Sequence, residues 1–137
     1  MNMTKVKKIR ARMLGFVLSL ALLISTFSVN AFALKTTSTT GSLGGYTCVA
    51  VLSQKNSARG AYASTAFGTV TDSIYTSVSY TYKSNNTNYT VYTSGTSYSV
   101  QSNLKTTQDM SGTFVSASSY HKVTRSGYPA WTASLSI

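Results

Sequence analysis

From residue 46 onward, apolar and hydroxyl-bearing side chains alternate with a period of two, and that period restricts the chain to strands. Ile74, Thr76, Val78, Tyr80 and Tyr82 fall on one parity, while Tyr75, Ser77, Ser79 and Thr81 fall on the other. The pattern returns at the end of the chain. There Trp131, Ala133, Leu135 and Ile137 share one side, and Thr132, Ser134 and Ser136 the other. A strand sends one such row into a core and the other into water. Composition points the same way. Residues 34–137 carry 20 Ser, 19 Thr and all ten Tyr of the chain, and Glu is absent altogether. Thr and Tyr suit a pleated, half-exposed surface, whereas strong helix formers are scarce here.

The first quarter is written differently. Lys5, Lys7, Lys8, Arg10 and Arg12 precede residues 13–24, which are apolar apart from Gly15 and Ser19. That run has the length of a signal-peptide core and falls short of the ~20 residues a spanning helix needs. Ser25, Thr26, Ser28 and Asn30 interrupt it before Ala31-Phe32-Ala33, where small side chains stand at the positions signal peptidase reads. Residues 1–33 are therefore expected to be a helical signal peptide, cleaved between Ala33 and Leu34. The polar interruptions argue against an uncleaved anchor over residues 13–32, and Leu34 stands where a lipoprotein would need Cys. The long basic start is in the style of Gram-positive leaders. The expected location is outside the cell or on its wall, with membrane contact only through the leader.

Residues 34–137 are enough for one domain and too few for two. Residues 34–45 are rich in Ser, Thr and Gly and show no apolar period, so they read as a flexible segment before a domain at 46–137. Strands are expected at 46–53, 61–71, 74–82, 88–93, 96–102, 113–125 and 131–137. Gly68 reads as a bulge or a close-packing site, Asp72-Ser73 as a turn, Lys83-Ser84-Asn85-Asn86-Thr87 as a hairpin turn, and Ser94-Gly95 as a break. Residues 103–112 read as a crossover loop whose Leu104 and Met110 tuck beneath the domain. About seven antiparallel strands predict an all-β fold, a β-sandwich first and a closed barrel second.

The core must form without a disulfide, because Cys48 is the only cysteine. It lies in the strand-like run 46–52 and is expected to be buried as a small hydrophobe. Without the leader, seven Lys and Arg face Asp72 and Asp109, leaving +5. These charges are scattered, so the clustered basic face of a nucleic-acid binder is missing.

No catalytic constellation emerges. Asp72 and Asp109 lie in turn or loop segments, where a carboxylate ordinarily shapes the backbone. His121 is the sole histidine. One His and one Cys without ligand spacing make no metal site, and no Gly-x-Ser-x-Gly elbow selects a serine. No cofactor is expected. Asn85-Asn86-Thr87 and Asn88-Tyr89-Thr90 match the glycosylation acceptor pattern but serve equally as hairpin chemistry. Ten Tyr and Trp131 exceed what a small core encloses. Exposed ones offer an apolar face and a polar tip for sugar rings or a protein partner. The candidate binding surface is Tyr75, His121, Lys122 and Arg125, with His121 read as a surface residue between Tyr120 and Lys122.

The signal peptide and the small Ser/Gly/Tyr-rich β-domain resemble, in architecture and composition, exported bacteriocins of the lactococcin 972 type. The resemblance implies an antimicrobial, membrane-active polypeptide as the alternative function and carries over no residues. The first expectation is a non-enzymatic secreted or surface β-domain that binds cell-wall glycan or a surface protein. A secreted hydrolase stands third.

Overall fold

The structure is a computed structural model that describes residues 35–55 and 59–137, so the expected signal peptide and the expected cleavage between Ala33 and Leu34 lie outside the described residues. Every regular element described is a strand: β1 (Thr36–Leu43), β2 (Tyr46–Gln54), β3 (Ala61–Ser84), β4 (Thr87–Thr106), β5 (Thr113–Thr124) and β6 (Trp131–Ser136). The fold is all-β, and all pairings are antiparallel, with order β1-β2-β3-β5-β6 and β4 joined to β3.

Two long strands organise it. β3 has 24 residues and β4 has 20, and Asn85-Asn86 joins them with φ of 49° and 64°. Positive φ at both central residues twists a two-residue loop to match the flanking strands, and Asn tolerates that region. The first part of β3 lies between β2 and β4, and the second between β4 and β5. The ladder shifts between Ala66 and Thr71, and on β4 Ser99 takes φ of 53°. This bulge folds the hairpin over without ending either strand. The expected turn at Asp72-Ser73 and break at Ser94-Gly95 are thus corrected: each long strand runs through its own turn-like residues, which merges the seven expected strands into five, and β1 adds a sixth.

The flexible reading of residues 34–45 is corrected too. Thr36–Leu43 pairs residue by residue with β2, from Thr36↔Ser53 to Leu43↔Tyr46. A strand of Thr, Ser and Gly lacks an apolar signal, yet Thr is at home in a ladder.

The sheet curls until its two ends meet, making it nearly closed and barrel-like. The Trp131 indole on β6 lies against Gly41 on β1, where a Cβ would stand 2.1 Å from Nε1. Only glycine allows that approach. The Tyr128 ring covers Gly44 in the same way at the β1–β2 turn. At the opposite end, Thr107 N–H donates to the Ala61 carbonyl and Met110 N–H to that of Arg59. Lys55 Nζ reaches Asp109 at 2.5 Å.

Inside are two apolar clusters. Leu52, Ala61, Ala63, Val78, Tyr80, Tyr82 and Ala117 form one, joined by Met110, Leu135 and Ile137. Leu43, Cys48, Phe67, Ile74 and Val123 form the other, joined by Trp131. The parity expected for β6 holds, although its side chains serve two clusters and Trp131 is half-buried. Cys48 is fully buried as expected, and burial pushes its thiol up to about 11. Met110 tucks in, whereas Leu104 stays exposed.

Candidate functional site

The outer face of the β4-β3-β5-β6 quarter carries the densest set of hydroxyls. Strand register lays residues in rungs across it. One rung reads Ser94, Ser77, Tyr120, Ser134, and the next Tyr92, Ser79, Ser118, Ser136. Strand spacing makes each rung about 14 Å long. Serines are short, so they form a low floor, flanked by Tyr92 on β4 and Tyr120 on β5, with the Tyr92 hydroxyl engaged by Tyr75, Ser77 and Ser94. The result is a shallow groove of about 420 Å³.

The floor is internally bonded. Ser79 and Ser118 hydroxyls lie 2.8 Å apart, and the Tyr75 and Tyr92 hydroxyls 2.9 Å apart. The Tyr75 and Tyr120 rings pack tilted at 6.1 Å, which fixes Tyr120 beside the groove. Hydrogen bonds from Ser94, then Tyr75 and Ser77, hold the Tyr92 phenol below the ordinary tyrosine range against a small opposing effect of burial. Each hydroxyl both donates and accepts, so such a floor can match a ligand that presents hydroxyls of its own. The standing Tyr rings offer apolar faces for stacking.

The four residues singled out from sequence separate. Tyr75 and Lys122 are register partners in the rung beyond Ser77 and Tyr120, so they border the groove. Arg125 lies elsewhere, its guanidinium 4.7 Å from the centre of the Tyr46 ring and 5.6 Å from that of Tyr128. Its Nη1 is buried with no hydrogen-bond partner among the described residues.

His121 is corrected outright: it is fully buried. On β5 it shares parity with Ala117, Ser119 and Val123, and it sits between the two apolar clusters. Its Nδ1 lies 2.7 Å from Thr65 Oγ1, and its Nε2 lies 2.7 Å from Ser119 Oγ. Thr65 Oγ1 is in turn 2.6 Å from Thr76 Oγ1. With both ring nitrogens bonded to hydroxyls and no acid against it, burial pushes the imidazole down to about 4. A serine bonded to a histidine has the spacing of a nucleophile and its base. This imidazole, however, faces the interior and takes up a proton poorly at neutral pH. The arrangement is suited to fastening β3 to β5, with every buried polar atom in it satisfied.

Among the described residues no group of three His, Cys, Asp or Glu could hold a metal ion. The residues missed from sequence are the groove serines and Tyr92 and Tyr120. Their parity was visible, but which strands lie side by side was not. No protein-family model, curated protein or solved structure matches the chain.

Proposed function

We propose that this chain is an exported, non-enzymatic β-domain of sandwich type, one half folded over the other at the β3–β4 bulge, that binds cell-wall glycan on its outer Ser/Tyr face. The observation that supports the reading is the groove: a serine floor from Ser77, Ser79, Ser118, Ser134 and Ser136 between Tyr92 and Tyr120. A sugar ring has an apolar face edged by hydroxyls, which complements rings standing over a hydroxyl floor. Lys122 at the border adds one positive charge, so the face accommodates a glycan that is neutral or weakly acidic. The basic, apolar-cored leader would deliver the domain to that ligand.

Two measurements test the reading together. Intact mass of the protein recovered outside the cell should begin at Leu34. That protein should sediment with purified peptidoglycan and be released by soluble wall oligosaccharides. Failure to sediment overturns the glycan reading. Growth inhibition of neighbouring cells in its place would support the bacteriocin-like alternative.

A further inference from the structure

Among the described residues β4 is paired on one side only, with β3. Along its other side, alternate backbone N–H and C=O groups face outward with no strand beside them. β1 and β6 also end the sheet path, but they meet each other through Trp131 and Gly41. β4 has no such cover, and at 20 residues it far exceeds the common strand of about 5–6.

Edge strands are ordinarily protected from pairing by short length, charge or proline. Here the strand is long and its own side chains supply neither charge nor proline over residues 87–104, although the Lys105 ammonium reaches back beside Gly95 on the inner row. Residues 87–104 contain no Lys, Arg, Asp, Glu or Pro, in a domain whose basic residues are otherwise spread along the chain. Lys83 and Lys105 lie beyond the two ends of this stretch. The left-handed turn at Ser99 limits the straight part to residues 87–98. On its outer row stand Tyr92 and Tyr98, 62% and 73% exposed, the two most exposed large side chains among the described apolar and aromatic residues.

From these features we propose that β4 is an interface at which two copies of this chain pair edge to edge, antiparallel within residues 87–98. A second copy fits this edge better than an unrelated strand for two reasons. Antiparallel pairing about a two-fold axis perpendicular to the sheet is self-complementary. It also opposes uncharged residues to uncharged residues, keeping the flanking lysines of two basic chains from facing each other across the ladder. The same axis leaves both outer faces on one side. With the axis at Thr93, Thr90 of each copy stands opposite Thr96 of the other and Tyr92 opposite Ser94, so the two Tyr92 rings lie diagonally across the ladder and two serine grooves line up on one extended platform.

Sedimentation velocity of the purified protein over a wide concentration range tests this. The expected result is a species of twice the chain mass that grows with concentration. Thr90→Lys combined with Thr96→Lys, both on the exposed outer row of β4, should leave a folded single chain, because like charges then oppose each other across the interface. Thr132→Lys on β6 should leave the dimer intact. Single-chain mass throughout for the unsubstituted protein overturns the proposal, as does a dimer that survives the β4 lysines. Should the lysine variant fail to fold, Thr93→Cys, the position that faces its own copy across the two-fold axis in this register, gives the second reading under mild oxidation. A covalent dimer is expected, and its absence counts against the interface, since Cys48 is buried and silent.

Discussion

The two faces of the β3–β5 pair use the same residue types for opposite ends. Inward, Thr65, Thr76, Ser119 and His121 each hold a fixed partner, and Tyr80 is fully buried between Tyr82 and Phe114. Outward, Ser79, Ser118, Tyr75, Tyr92 and Tyr120 keep hydroxyls within reach of water or a ligand, while Ser77 on the same face is itself buried. Nothing but parity separates Ser118 from Ser119. The difference teaches that a hydroxyl's role here is set by which side of the pleat it occupies. Inside, losing a partner strands a buried polar atom; outside, water replaces it.

Substitutions that fall on opposite faces should therefore diverge sharply. The largest effect is expected for Tyr80→Ala, which empties the most voluminous fully buried site. As for other large aromatics, it should cost about 3–5 kcal/mol and unfold much of the population, read by chemical denaturation. An equally stable Tyr80→Ala protein would show that the interior is not packed as described.

Acid comes next. His121 is held near 4 when folded, against an ordinary 6.5, so its contribution is complete above about pH 6.5 and is lost as pH falls toward 4. A shift of that size corresponds to roughly 3 kcal/mol. The groups facing the ring are the uncharged hydroxyls of Thr65, Thr76 and Ser119. Denaturation midpoints measured between pH 7 and 4 should decline in the parent protein and flatten in His121→Phe. A parent protein indifferent to pH over that range would place His121 back in water.

Smaller effects sharpen the same boundary. Thr65→Val leaves His121 Nδ1 and Thr76 without their shared partner and should cost about 1–3 kcal/mol. Gly41→Ala should cost a similar amount, about 1–3 kcal/mol, by pushing Trp131 off the seam. Its fluorescence should then shift to the red. Ser118→Ala, on the outer floor, should change stability by no more than about 0.5 kcal/mol.

Much of this was legible in the sequence, and the failures have physical causes. The rows at 74–82 and 131–137 were plain because large apolar residues mark one parity. β1 was invisible because Thr, Ser and Gly mark neither. Asp72-Ser73 and Ser94-Gly95 have turn composition, but pairing of Thr71 with Val100 and of Ser73 with Tyr98 carries β3 through the first, and β3, flanked by β5 from Ser73 onward, carries β4 through the second. The placement of His121 was recoverable in principle, since Ala117 and Val123 share its parity. A polar residue on an apolar row is ambiguous until Thr65, distant in sequence, is known to face it. The groove needed the strand order, which alternation within single strands does not contain.

The proposed division of labour has the inner face fold the domain and the outer face bind. It is tested most directly by measuring melting temperature and peptidoglycan binding on one variant, Tyr92→Ala with Tyr120→Ala. The account predicts a melting temperature close to that of the parent, with binding lost. Binding that persists with both rings removed would contradict it.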